Sequence, residues 1–189
     1  MRHPLGFLCL PLMRDGVNGV CVHLFDDDMA PGPSESLVHA HSWALTSLVL
    51  HGRVTNCSVD VIEGVASPTH RVFEVRSDPD GTDDVRPTAR VVSSELRAAQ
   101  TNHYGDVYMV RPGEFHTTTV PDGCFAATLV LGNVLPGGTD LALGPLHGDA
   151  VRSVRELCDR QQTVAAVRTA LRRIDAQDVS SGRIRTARP

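Results

Sequence analysis

The chain contains no lysine: all 18 of its basic residues are arginine. That excludes Schiff-base catalysis through a lysine amine and phosphate binding through a P-loop lysine. No apolar run approaches the ~20 residues that a membrane-spanning helix needs, so no membrane partner is expected. The formal net charge is -4 with histidines neutral, and no basic run is interleaved with aromatics, which argues against nucleic acid. Five cysteines, Cys9, Cys21, Cys57, Cys124 and Cys158, are scattered without a C-x-x-C pair. Reduced, mostly buried thiols account for them better than a disulfide framework. The stretch from Met1 to Leu12 is a weak imitation of a signal peptide, because Pro4 and Pro11 break its apolar part and no small-residue cleavage site follows. A cytoplasmic protein is the expectation.

With 189 residues, 41% of them hydrophobic, the chain is long enough for one substantial core and short for two. Between Val20 and Val134 short segments rich in Val, Thr, Leu and Phe alternate with turn residues, which predicts an all-β domain. Strands are expected over Val20 to Leu24, Val38 to Trp43, Thr46 to Leu50, Arg53 to Ile62, His70 to Arg76, Ala89 to Glu95, Asp106 to Val110, Phe115 to Val120 and Phe125 to Leu131. Asp26 to Ser36 and Ser77 to Pro87 read as loops. The adjacent Asp26, Asp27 and Asp28 lack EF-hand spacing and read as a solvated turn rather than a calcium site. The organisation expected is an N-terminal extension and strand over 1–37, a β core over 38–134, a helical segment over 148–176 and a disordered tail over 177–189. Asp149 is the expected cap of an amphipathic helix whose apolar face carries Val151, Val154, Leu157, Cys158, Val164, Val167, Leu171 and Ile174.

His39-Ala40-His41 is the most informative motif. On an extended strand the two imidazoles point the same way, roughly 7 Å apart, a workable span for one metal ion. His116, just after the turn Arg111-Pro112-Gly113-Glu114, stands where a neighbouring strand would bring a third ligand. Neutral imidazole is the commonest ligand for zinc, copper, nickel and non-heme iron, and three of them leave open positions. His3, His23, His70 and His147 read as ordinary packed or surface residues, with His51 exposed in a turn.

The glycine punctuation around these histidines resembles the cupin superfamily over about His39 to Leu131. His39-x-His41, Leu45 and Gly52 follow the first cupin motif, with Leu45 where that motif has glutamate and Pro33 where it has its leading glycine, here displaced to Gly32. Gly105, Gly113 and His116 follow the second, with Pro112 one position late and Val120 in place of asparagine. The resemblance implies a cupin jelly-roll barrel carrying an N-terminal extension and a C-terminal amphipathic helix, and a homodimer. Without the glutamate the ligand set is three neutral histidines, as in the thiol-dioxygenase branch of the superfamily.

Around such a metal, Trp43, Leu45, Ser47, Arg53, His103 and Thr118 are the expected substrate pocket, and Tyr104, Tyr108 and Glu114 the candidate proton movers. Arg53 and Arg111 are candidates for binding a substrate carboxylate. The expected activity is that of a non-heme iron oxygenase acting on a small organic substrate, with Fe(II) favoured over Zn, Ni, Mn or Cu. Two other readings stay open: a redox-neutral metal-dependent isomerase, lyase or cyclase, and a non-catalytic barrel that binds a small ligand.

Overall fold

A computed structural model describes residues 1–26, 38–78, 80–135 and 137–182 of the chain. Most of the loop expected over Asp26 to Ser36, Gly32 and Pro33 included, lies outside the described residues, as does the end of the expected tail. The strands are β1 Arg2–His3, β2 Phe7–Asp15, β3 Asn18–Phe25, β4 His39–Ala40, β5 Trp43–His51, β6 Arg53–Glu63, β7 His70–Ser77, β8 Thr82–His103, β9 Val107–Val110, β10 His116–Thr119, β11 Ala126–Val134, β12 Asp140–Pro145 and β13 Val151–Val154. One helix follows among the described residues, α1 Arg160–Ser180. The strands make two sheets, ordered β1-β2-β3-β11-β5-β9 and β13-β8-β6-β10-β4-β12-β7, with β8 also paired to β7. Every pairing is antiparallel.

Period-two alternation gives the first sheet two apolar faces. Phe7, Cys9, Phe25, Val49 and Ala126 point inward and pack with Val54 of the second sheet. Leu8, Leu24 and Ala127 point outward, where Ala170 of α1 covers them. Within the second sheet Ala40, Val59, Val72, Val92 and Leu143 form a further buried cluster with Phe115. No helix among the described residues is long and apolar enough to cross a membrane.

Several expectations need correction. The N-terminal stretch is integral to the first sheet: β2 pairs with β3 along its length, and Pro11 is tolerated because the ladder is irregular between Pro11 and Met13. The loop expected over Ser77 to Pro87 is a tight turn. Asp78 N donates to Thr82 O at 2.8 Å, Gly81 N donates to Asp78 O at 3.0 Å, and β8 starts at Thr82. β8 therefore extends well beyond Ala89 to Glu95 at both ends, pairing with β7 along its first part and with β6 along its second. The single strand expected over Val38 to Trp43 is divided into β4 and β5 at Ser42, whose N–H donates to Asp140 Oδ1 at 2.7 Å.

The helix begins at Arg160, not near Gly148. Val151 and Val154 belong to β13, paired with β8, although their spacing also matches a helical face. The effective cap is Asp159, which with Gln162 forms a reciprocal capping box, with bonds of 2.7 Å and 2.9 Å. The stripe packed on the sheet is Ala170, which is buried, flanked at i, i+4 spacing by the partly buried Ala166 and Ile174. Val164 and Leu171, expected on that stripe, are exposed. Gln177 and Asp178 are helical rather than part of a tail.

Gly52 shows why one motif position admits no side chain. Its φ is +71°, and a Cβ there would lie 2.5 Å from Phe125 O. Its N–H donates to Gln177 Oε1 of α1 at 2.9 Å, which ties the β5–β6 turn to the helix.

Candidate metal centre

β4 and β10 are neighbours in the second sheet, and their register sets His116 opposite His39. His39 and His41 share a face, as alternation requires, and the ring centroids lie 4.3 Å (His39 to His116), 4.8 Å (His39 to His41) and 5.3 Å (His41 to His116) apart. One ligand nitrogen from each lies within 4.8 Å of the others. Nitrogens bound to a common ion at ~2.0 to 2.1 Å stand about 3 to 3.5 Å apart, so small rotamer adjustments complete the set. No Cys, Asp or Glu joins this cluster among the described residues, leaving a neutral N₃ donor set.

The turn after β9 clamps the trio from two sides. Gly113 N donates to His41 O at 2.7 Å, and His116 Nδ1 lies 3.0 Å from Glu114 O. With Nδ1–H given to that carbonyl, His116 presents Nε2 as its free ligand atom, the usual outer support of a metal-binding histidine. Burial pushes the His41 pKa well below its ordinary value, helped by the neighbouring His39 and His116. Burial also lowers that of His116, against the opposing pull of Glu114. Both imidazoles are thereby kept in the neutral form that binds metal.

The trio opens into a cavity of about 310 Å³ between the two sheets. That is the lower end of the size range for small-molecule sites. Trp43 lies against His41, with ring centroids 4.4 Å apart. Trp43, Leu45, Tyr108, Val110, Thr118 and Val130 line the wall. Burial pushes the Tyr108 phenol up, while Ser47 and Asn56 beside it act in the opposite direction. Of the residues expected around the metal, the structure brings Trp43, Leu45, Tyr108 and Thr118 to this cavity.

The others lie elsewhere. Ser47 is fully buried behind the cavity wall. Arg53 and His103 are exposed at the β6–β8 ladder, where they pair with each other in register. The Tyr104 hydroxyl donates to Asp178 of α1, so this phenol fastens the helix to the sheet. The Glu114 carboxylate accepts from Ser58 Oγ at 2.8 Å and from Arg111 N at 3.3 Å, and it is the backbone carbonyl of Glu114 that meets the His116 ring. Neither Tyr104 nor Glu114, both expected as proton movers, lines the cavity. Ser58 and the turn hold the Glu114 carboxylate, and the helix contact holds the Tyr104 hydroxyl.

The sequence reading missed His3, His23 and Arg155, all of which line the cavity. His3 stacks on Phe7 at 4.3 Å and its pKa is lowered to about 3, by burial first and then by His23, His39 and Arg155. Phe7 in turn lies 4.3 Å from the His23 ring. Arg155 forms a buried ion pair with Asp83 at 3.1 Å, and its Nε has no hydrogen-bond partner. Arginines were sought at 53 and 111 because those flank the motifs; the arginines that line the cavity are Arg14 of β2 and Arg155 from beyond β13, where no sequence signal marks them. Cys9 and Cys21 also line the wall. The Cys9 thiol is lowered by its bond from the Cys21 S–H and by His23 beside it. No family model matches the chain, and no curated protein is similar to it at a significant level.

Proposed function

We propose that this chain is a metal-dependent enzyme with a cupin jelly roll, and that it is a non-heme iron oxygenase for a small organic substrate. The observation that carries the reading is the His39, His41 and His116 trio, which opens into a pocket between the sheets, with His41 and His116 held neutral by burial. Fe(II) at such a site supplies one-electron chemistry with dioxygen and a Lewis acid for a substrate heteroatom.

The protein's own residues supply the rest. Three neutral ligands leave the double charge of the ion uncompensated, which favours an anionic substrate. Arg155, ion-paired with Asp83, lines the cavity and is the cation toward which the substrate's distal carboxylate would be drawn. Trp43, Leu45, Val110 and Val130 exclude water around the reacting group. Glu114 O holds the His116 ring in orientation.

The test is metal content of the purified protein, then oxygen uptake by Fe(II)-loaded protein with a panel of small organic acids and thiols. Retained iron, uptake with a subset of the panel, and loss of both in His41→Ala are the expected results. Protein that retains none of Fe, Mn, Ni, Cu or Zn removes the basis of the reading. A redox-neutral isomerase, lyase or cyclase is the second reading, favoured by Tyr108, whose protonated phenol faces the cavity and can give or take a proton. Undiminished turnover in strict anaerobiosis selects it.

A further inference from the structure

The inner face of the first sheet carries a second group of ligand-type side chains in the same cavity, unused by the function proposed above. In the β2–β3 ladder Cys9 stands opposite His23, and Cys21 opposite Pro11. Cys21 and His23 are two residues apart on β3 and so share a face with each other, and the ladder brings Cys9 onto that face too. Cys21 Sγ lies 3.3 Å from His23 Nε2, and one ligand atom from each of the three residues lies within 4.8 Å of the others.

We propose that Cys9, Cys21 and His23 form a second metal site, selective for a thiophilic ion where the three-histidine site is not, and that it takes Zn(II). Zn–S bonds of ~2.3 Å and Zn–N bonds of ~2.0 to 2.1 Å in a tetrahedron place these donors about 3.5 to 3.8 Å apart. The observed spacing needs little closure. The donors are held by regular backbone pairing rather than by a loop, and Phe7 packed on the His23 ring limits its rotation. Cys9 and Cys21 are both free thiols. No fourth Cys, His, Asp or Glu joins the group among the described residues, so the remaining position of a tetrahedral ion belongs to water or to a cavity ligand. A small molecule between the sheets then meets an N₃ cation on one wall and an S₂N cation on the other.

The experiment uses Co(II) as the spectroscopic substitute for Zn(II), titrated into reduced, metal-free full-length protein. Thiolate ligation gives an intense sulfur-to-cobalt charge-transfer absorption in the near-ultraviolet, which histidine ligation does not. The expected result is that this absorption saturates at one equivalent, is displaced by Zn(II), persists in the His39→Ala/His41→Ala double variant, and is lost in Cys9→Ala and Cys21→Ala. His23→Gln keeps both thiols and should weaken cobalt binding at least about tenfold with unchanged far-ultraviolet circular dichroism. It keeps the proposal testable if a cysteine variant fails to fold. The absence of the absorption in the wild-type chain overturns the proposal, as does its persistence in Cys9→Ala and Cys21→Ala. Failure of the three-histidine centre would appear separately, as lost Fe(II) binding with the cobalt–thiolate signal intact.

Discussion

The three histidines and the Cys9, Cys21 and His23 group lie in one cavity, on opposed sheets, yet they arise from different kinds of sequence information. His39-Ala40-His41 is local, and glycine punctuation around it and around His116 marks the two strands that meet. Cys21-Val22-His23 has the same i, i+2 form, which places both side chains on one face of β3, but its third member comes from β2, a strand with no recognisable signature. One rule of alternation applied to both segments; only one had flanking turns that named its partner. A donor set is legible when its strand pairing is, and the chemistry of the residues alone does not make it so.

Removing a donor should break that comparison most strongly. His116→Ala is expected to lower Fe(II) affinity at least roughly 100-fold, beyond the loss usual for an outer-support residue, while thiolate-to-Co(II) absorption is unchanged. Isothermal titration with each metal measures this. Joint loss of both sites would mean that the two walls of the cavity form a single cooperative unit.

Gly52→Ala tests the scaffold the two walls share. A side chain there meets Phe125 O and must adopt a positive φ, so a loss of about 2 to 3 kcal/mol is expected in urea denaturation. At temperatures where the variant is folded, both metal affinities should match those of the wild-type chain.

Acid should weaken the apo-protein through the cavity histidines. His3, His41 and His116 all titrate lower in the folded chain than their ordinary value. The unfolded chain therefore binds more protons, and the stability these groups contribute is fully present above about pH 6.5 and is lost as the pH falls below it. For His3 the loss continues down to about 3. A urea midpoint that stays level between about pH 7.5 and about pH 5 would show that these rings are accessible to water and protons in the folded state.

The smallest effect belongs to Tyr104→Phe. Loss of its hydrogen bond to Asp178 should cost about 1 kcal/mol, with metal binding at both sites unaffected. A large loss of turnover at unchanged stability would return Tyr104 to the candidate proton movers.

Much of the β core was legible because its strands are half-buried and alternate: Leu45, Ser47 and Val49 face inward together. The C-terminal third was read less well. Val151 and Val154 fit a helical stripe as well as an exposed edge strand, and short segments carry too few positions to separate periods of 2 and 3.6. The capping box at Asp159 and Gln162 is the local signal that distinguishes the true helix start. Glu114 illustrates a different gap, since the turn was placed correctly while the direction of its side chain depended on Ser58, distant in sequence.

By itself the sequence determined the all-β character of the central segment, the shared face of His39 and His41, and the turns at Gly52 and Gly113, because these follow from alternation and from φ preferences within a few residues. Only the tertiary structure decided that β2 joins the first sheet, that Arg155 and His3 enter the cavity, and that Tyr104 and Glu114 do not line it. Those outcomes depend on which strands pair, and pairing is set by burial summed over segments far apart in the chain rather than by any residue's neighbours.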